Sequence, residues 1–232
     1  MQVPFETRHT RGTSMPAHRH REAYAALIVA GSYTESSVDG PVPCRPGTLV
    51  LHPAFHAHAD RFGARDVRVV NVILPMSGRG RGAQVLSVPS LREGIDVFRR
   101  APGRLAELCR ACTPHERLEI RDWQQAFLDA LRDSDAPVGS IARRLGVSAA
   151  HASRELRRTF GMPPVALRRE LRSRRARELL ASSLSLPDIA ATCGFADQSH
   201  LTRVIRAHTG RTPATLRAHI KSVQDDALPV PV

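Results

Sequence analysis

The feature that most constrains this chain is a short pattern that occurs twice between Val138 and Arg217. Ile141-Ala142 leads to Gly146, and Ile189-Ala190 leads to Gly194, 48 residues further on. Gly161-Met162-Pro163-Pro164 closes the first copy and Gly210-Arg211-Thr212-Pro213 the second, at an offset of 49. Each copy reads as a short helix with Ile-Ala on its apolar side, a glycine that permits a tight turn, and a second helix: helix-turn-helix grammar. Supporting helices are expected over 138–145 and 186–192, with Pro187 at a helix start, where its missing N–H is harmless. The second helices are expected from an N-cap at Ser148 to Phe160, and from Asp197 to His208.

Helical spacing puts Leu156 and Phe160, and Leu201, Val204 and Ile205, on inward faces. Outside remain His151, Ser153, Arg154, Arg157 and Arg158 in one unit, and Gln198, Ser199, His200, Thr202, Arg203 and Arg206 in the other. These side chains have the reach and donors to contact phosphates and base edges in a major groove. A solvated charged face is the ordinary fate of such a run. Against it, 134–221 holds 16 Lys+Arg and 6 Asp+Glu, an excess of ten out of the net +12 of the whole chain.

This segment resembles the C-terminal domain of the AraC/XylS transcription regulators, through Arg174, Ala176, Leu179 and Leu180, then Ile189-Ala190, Cys193-Gly194-Phe195, Gln198-Ser199-His200, Gly210, Thr212 and Pro213. The resemblance implies two helix-turn-helix units joined by a long helix, here 164–182, entering successive major grooves about 34 Å apart on one side of DNA. Leu201, Ile205 and Leu216 stand where the family usually has an aromatic, and Ala152 where it has a leucine. Those are core positions, and the outward residues are unaffected.

A length of 232 residues suffices for two modest domains, and 42% hydrophobic content marks a globular chain. A sequence pI near 11.2 suits a polyanionic partner but does not separate nucleic acid from an acidic membrane; the repeat makes that separation. No run is long and apolar enough to span a bilayer, and 1–21 is polar and His/Arg-rich instead of having a signal-peptide core, so a cytoplasmic protein without membrane partners is expected. Cys44, Cys109, Cys112 and Cys193 are scattered and do not form a disulfide framework.

From Met15 to Leu74 the chain is β-rich, with runs at 24–30, 33–38, 48–52 and 67–74 punctuated by Gly31, Gly40-Pro41, Pro46-Gly47 and Pro53. Short strands this closely spaced favour a small sandwich or barrel. His18-x-His20, and Pro46-Gly47 through Pro53 to His58, resemble the two motifs of the cupin-like sensor domain that often precedes the AraC-type unit. In metal-binding cupins the equivalents of His18, His20 and His58 share a divalent transition metal with a glutamate. Here the glutamate position, near Tyr24 or Ala25, is not acidic, although Glu22 is nearby. His52, His56 and His58 form a second alternating set, so five of the 11 histidines fall in two short stretches. The candidate effector set is therefore His18, His20, Glu22, His52, His56 and His58, with His18, His20 and His58 the candidate ligands of a divalent transition metal. Pocket-lining or structural histidines, and a small organic effector, remain the larger alternative.

Residues 77–82 read as a Gly/Arg-rich loop that ends the barrel. Three helical stripes follow: Leu91, Ile95 and Phe98; Leu105, Leu108 and Cys112; then Ile120, Trp123, Phe127 and Leu131 in a helix over 118–132. The last face suits packing within the chain or a homodimer contact. Cys109-x-x-Cys112 without a second pair is a weak metal or redox signal.

The expected fold is α+β. A small cupin-like β-barrel sensor spans 1–82, helices that serve as linker or dimerisation region span 83–133, an all-α domain with two helix-turn-helix units joined by a long helix spans 134–221, and a tail covers 222–232. The expected function is sequence-specific, non-enzymatic regulation of transcription, as an activator or repressor, with double-stranded DNA, a small-molecule or metal effector, RNA polymerase and a second copy of the chain as candidate partners. The alternatives are a redox-responsive regulator using Cys109 and Cys112, and a metal-dependent cupin enzyme.

Overall fold

A computed structural model of the chain describes residues 4–74 and 82–225, with side chains through residue 220. Of the expected loop over 77–82 only Gly82 is described, and of the expected tail over 222–232 only 222–225, which continue the last helix rather than fray; the rest lie outside the described residues. Ten strands are described: β1 (Phe5–His9), β2 (Ser14–Arg19), β3 (Ala23–Ala30), β4 (Tyr33–Ser37), β5 (Gly40–Cys44), β6 (Thr48–His52), β7 (Ala57–Phe62), β8 (Val67–Leu74), β9 (Gln84–Ser87) and β10 (Thr113–Pro114). They form two antiparallel sheets, ordered β1-β8-β3-β6-β9-β10 and β2-β7-β4-β5. Pro41 and Pro43 sit on β5, an edge of the smaller sheet, where a missing N–H breaks no ladder.

The two sheets face one another. Ala26, Ile28, Val50, Val67 and Val69 of the larger meet Tyr33, Val42, Cys44 and Phe62 of the smaller. The outer face of the larger sheet, with Ala25, Leu27, Leu49, Val70 and Val72, is covered by α1 (Leu91–Arg100) and α2 (Leu105–Ala111) through Val97, Phe98, Leu105 and Leu108. The strands do not end near residue 82 as expected: β9 pairs with β6, and β10 with β9.

The remaining helices are α3 (Asp122–Asp133), α4 (Val138–Arg144), α5 (Ala149–Phe160), α6 (Pro164–Leu179), α7 (Leu186–Thr192), α8 (Gln198–Thr209) and α9 (Pro213–Asp225). The helix expected from 118 starts instead at Asp122. The stretch before it is held along the barrel, where the Leu118 N–H donates to the Pro41 carbonyl and Arg117 donates to the carbonyls of Asp39 and Ala83. Nor does α3 belong with α1 and α2: Phe127, Leu128 and Leu131 share a core with Ile141, Ala142, Leu156, Phe160, Leu167 and Leu171 of the first repeat unit. The second unit has its own core of Ala176, Leu180, Ile189, Cys193, Phe195, Leu201, Ile205 and Leu216. Helix α6 carries no single apolar stripe because its first half faces one core and its second half the other.

The two units repeat in backbone detail. Gly146 and Gly194 both turn at φ +70°, and Gly161 and Gly210 both end their helices at φ +72°. Ser148 accepts from the His151 N–H, and Asp197 from the His200 N–H, satisfying donors that the first helical turn leaves open. The departures from the family pattern are accommodated in packed cores: Ala152, Leu201 and Ile205 are fully buried and Leu216 nearly so.

Candidate functional site

Alternation along the strands of the smaller sheet gives it two different faces. On β7, His58 and Asp60 point inward, while Ala57 and Ala59 face the helices; on β4, Tyr33 and Glu35 point inward, while Ser36 faces the helices. On β2, His18 points inward and Arg19 outward, its guanidinium donating to Glu170 of α6 at 2.5 Å. One sheet thus lines a cavity and docks the helical domain.

The cavity, of about 330 Å³, lies between the sheets. Its walls bring together His18, His20, Glu22, His52 and His58 of the sequence-expected set. His56 is not among them: it is buried behind the wall, 6.0 Å from His58 and 5.9 Å from His52 between ring centroids. The rings of His18 and His58 are 4.3 Å apart, those of His52 and His58 4.8 Å, and Tyr24 stacks on His52 at 4.4 Å.

Sequence reasoning missed the acids. Glu35, paired in register with Asp60, is buried with a carboxylate oxygen 3.5 Å from His52 Nε2. Asp60 reaches within 3.9 Å of His58 Nε2. Donor atoms of His18, His20 and His58 lie within 4.8 Å of one another, and so do those of Glu35, His52 and His58. The signal for Glu35 was a lone acid in a β-type run, at an inward alternation step from Tyr33. Burial dominates the chemistry here. It pushes Glu35 well above the ordinary carboxylate range, helped by Asp60, and Asp60 up to about 7; it pushes His52 and His58 well below the ordinary histidine value, helped by the neighbouring imidazoles. Neutral imidazoles keep a lone pair free for a cation.

The wall continues into the docking contact. In the turn from β6 to β7, Phe55 buries its ring in the core of the second unit, its N–H donates to the His20 carbonyl at 2.8 Å, and the Ala54 carbonyl accepts from Arg177. Arg174 donates to Asp39 at 2.6 Å, and Glu170 lies between Arg19, Arg177 and His208. Gly161 lies so close to the sheet that an added Cβ would stand 2.5 Å from the Ala59 Cβ.

On the helical domain, Arg154, Arg157 and Arg158 of α5 and Gln198, Ser199, Arg203 and Arg206 of α8 are exposed. Ser153 and Thr202 are half-buried. His151 packs its ring 5.7 Å from Trp123, His200 sets its ring edge-on to Phe195 at 5.3 Å, and Arg158 is paired with Glu155 at 2.8 Å. Cys109 and Cys112 abut the core under the larger sheet, and burial raises both thiols, Cys112 to about 11, which favours the unreactive protonated form. No helix among the described residues is long and apolar enough to cross a membrane.

Residues 141–219 match the profile of a helix-turn-helix domain family. The arabinose operon regulatory protein of Salmonella typhimurium is 26% identical over 148 residues, covering 63% of this chain and 50% of that protein, so the chain spans about half the length of this relative. The helix-turn-helix transcriptional regulator GlxA of Rhizobium meliloti is 38% identical over 79 residues, 34% of this chain and 24% of that one. Among solved structures, ToxT of Vibrio cholerae aligns over 94% of this chain and 98% of its own at 10% identity, with a TM-score of 0.45. The duplicated units over 141–219 thus form a helix-turn-helix domain similar to those of the arabinose operon regulator and of GlxA.

Proposed function

We propose that this chain is a sequence-specific DNA-binding regulator of transcription, in which α5 and α8 enter successive major grooves and the cavity between the sheets receives an effector. The observation that carries the reading is the division of both helices. Leu156, Phe160, Leu201 and Ile205 are fully buried, while the opposite faces present exposed arginine, glutamine and serine. Base contacts fall to Arg154 and Arg157 with Ser153, and to Gln198, Ser199 and Arg203 with Thr202. His151 and His200, already packed against aromatics, set the helix ends beside them. Arg158 and Arg206 suit phosphate, and Arg158 must leave Glu155 to reach it.

An effector shifts such a protein only as far as it binds the two arrangements unequally. The docked face supplies a reason for inequality: β2, β4 and β7, whose inner residues line the cavity, carry the outer residues that touch the helical domain. Contacts with RNA polymerase or a second copy of the chain accord with this role. In this reading the cavity binds and does not turn over a substrate, and the protein works in the cytoplasm.

Replacing Arg203 by alanine tests the assignment. Affinity for the selected site falls by about 1–3 kcal/mol while affinity for random DNA changes little, so the ratio of the two narrows. An unchanged ratio, measured by fluorescence anisotropy on both DNAs, removes Arg203 from base reading.

A further inference from the structure

We propose that Glu35, His52 and His58 hold one divalent transition-metal ion in the wall of the cavity, with His18 and His20 lining its approach. This deepens the reading of the cavity as the sensing site and rests on that reading for its regulatory meaning. It is a different donor set from the His18, His20 and His58 trio that the cupin resemblance implies: the acid comes from β4, and His52 lies outside the equivalents of that trio.

Three observations carry it. First, one donor atom from each of Glu35, His52 and His58 falls within 4.8 Å of the other two, the separation at which a single ion at about 2.0–2.2 Å from each is reached by small side-chain movements. Secondly, all three residues are buried, at 3%, 2% and 3% exposure, and among the described residues no lysine or arginine lies within ion-pairing distance of Glu35, whose one such neighbour is the neutral imidazole of His52. A buried carboxylate without a cation is costly, and a divalent ion supplies the missing charge. Thirdly, the Nδ1 atoms of His52 and His58 are buried with no hydrogen-bond partner among the described residues. Imidazole nitrogens in this state are short of a partner, and ring reorientation lets either nitrogen serve as ligand. Tyr24 stacks over His52 and brings its hydroxyl to 3.5 Å from His58 Nε2, closing the wall on that side.

Two imidazoles and one carboxylate, with positions left open towards His18, His20 and the cavity, suit zinc, iron(II), cobalt(II) or nickel(II) and not magnesium or calcium, which prefer all-oxygen sets. The open positions would let an organic ligand bind the ion directly.

The test uses the full chain, stripped with chelator, dialysed and titrated with Co(II) and Zn(II). One ion per chain by elemental analysis and a Co(II) ligand-field spectrum are expected. Glu35→Gln and His52→Asn each weaken binding by more than the roughly 10–100-fold that loss of an outer-shell partner costs, while His18→Ala has the smaller effect. His52→Cys gives an independent readout: with Co(II), that variant alone gains an intense sulfur-to-metal charge-transfer band, so the conclusion does not depend on how well Glu35→Gln folds. The proposal is overturned if the wild type takes up neither ion, if His18→Ala and His20→Ala abolish binding while Glu35→Gln and His52→Asn leave it intact, or if His52→Cys shows no new band. DNA affinity measured with and without the ion separates the two readings: stoichiometric metal with unchanged DNA affinity keeps the site and removes its role in sensing.

Discussion

Phe55 is the sole non-glycine with positive φ among the described residues, at +62°. Left-handed backbone costs a residue with a Cβ about 1–2 kcal/mol, and burying a phenylalanine ring returns about 1.5–3 kcal/mol, so the ring holds the turn in place. The turn is short, and His52 and His56 bound it, with His58 just beyond. A change in the cavity wall therefore reaches the core of the second helix-turn-helix unit through only a few residues. Phe55→Ala loses the ring and keeps the strain, and is expected to cost about 3 kcal/mol or more of stability. Phe55→Gly loses the same ring but relieves the backbone, and should be the more stable of the two by up to about 1 kcal/mol. Urea denaturation of both variants checks this; a glycine variant no more stable than the alanine one would show that the turn stores no strain.

Two glycines that are equivalent in the repeat separate local from tertiary constraint. Gly161 and Gly210 end α5 and α8 at the same φ, but a Cβ at Gly161 meets Ala59 at 2.5 Å, while at Gly210 its nearest contact is an Arg21 side-chain tip at 3.8 Å. Both alanine variants pay the left-handed penalty of about 1–2 kcal/mol. Only Gly161→Ala must also push α5 off the sheet, so it is expected to lose more stability than Gly210→Ala and to expose the segment between α5 and α6 to protease. Equal losses would place α5 clear of the sheet in solution. The repeat made α4, α5, α7 and α8 legible from sequence, because turn glycines, caps and helical periodicity all agree there. β1, β2 and β7 were far less legible, since their inward residues are polar: Thr7, His9, His18, His58 and Asp60 line a cavity, which erases the apolar alternation that announces a strand. The same inversion concealed Glu35 and Asp60. The role of α3 was hidden for another reason, as its apolar face was plain while its partner, the first repeat unit, is a matter of tertiary packing.

At the scale of the whole molecule the chain is layered: α1 and α2, the larger sheet, the cavity, the smaller sheet, then α3 to α9, with α5 packed against the smaller sheet through its C-terminal end. The excess of positive charge gathers in the last layer, 16 basic against 6 acidic residues over 134–221, while four of the seven buried carboxyl and imidazole groups among the described residues, Glu35, His52, His58 and Asp60, line the cavity. That separation suits a protein that grips a polyanion with one end and responds to an effector with the other. The most direct test of the central claim is a hydroxyl-radical footprint of the full chain on a site selected from random DNA. Two protected stretches centred about 10–10.5 base pairs apart on one face of the duplex are expected, with the stretch assigned to α8 losing protection in the Arg203→Ala variant. A single protected stretch, or two that Arg203→Ala leaves untouched, would contradict the account.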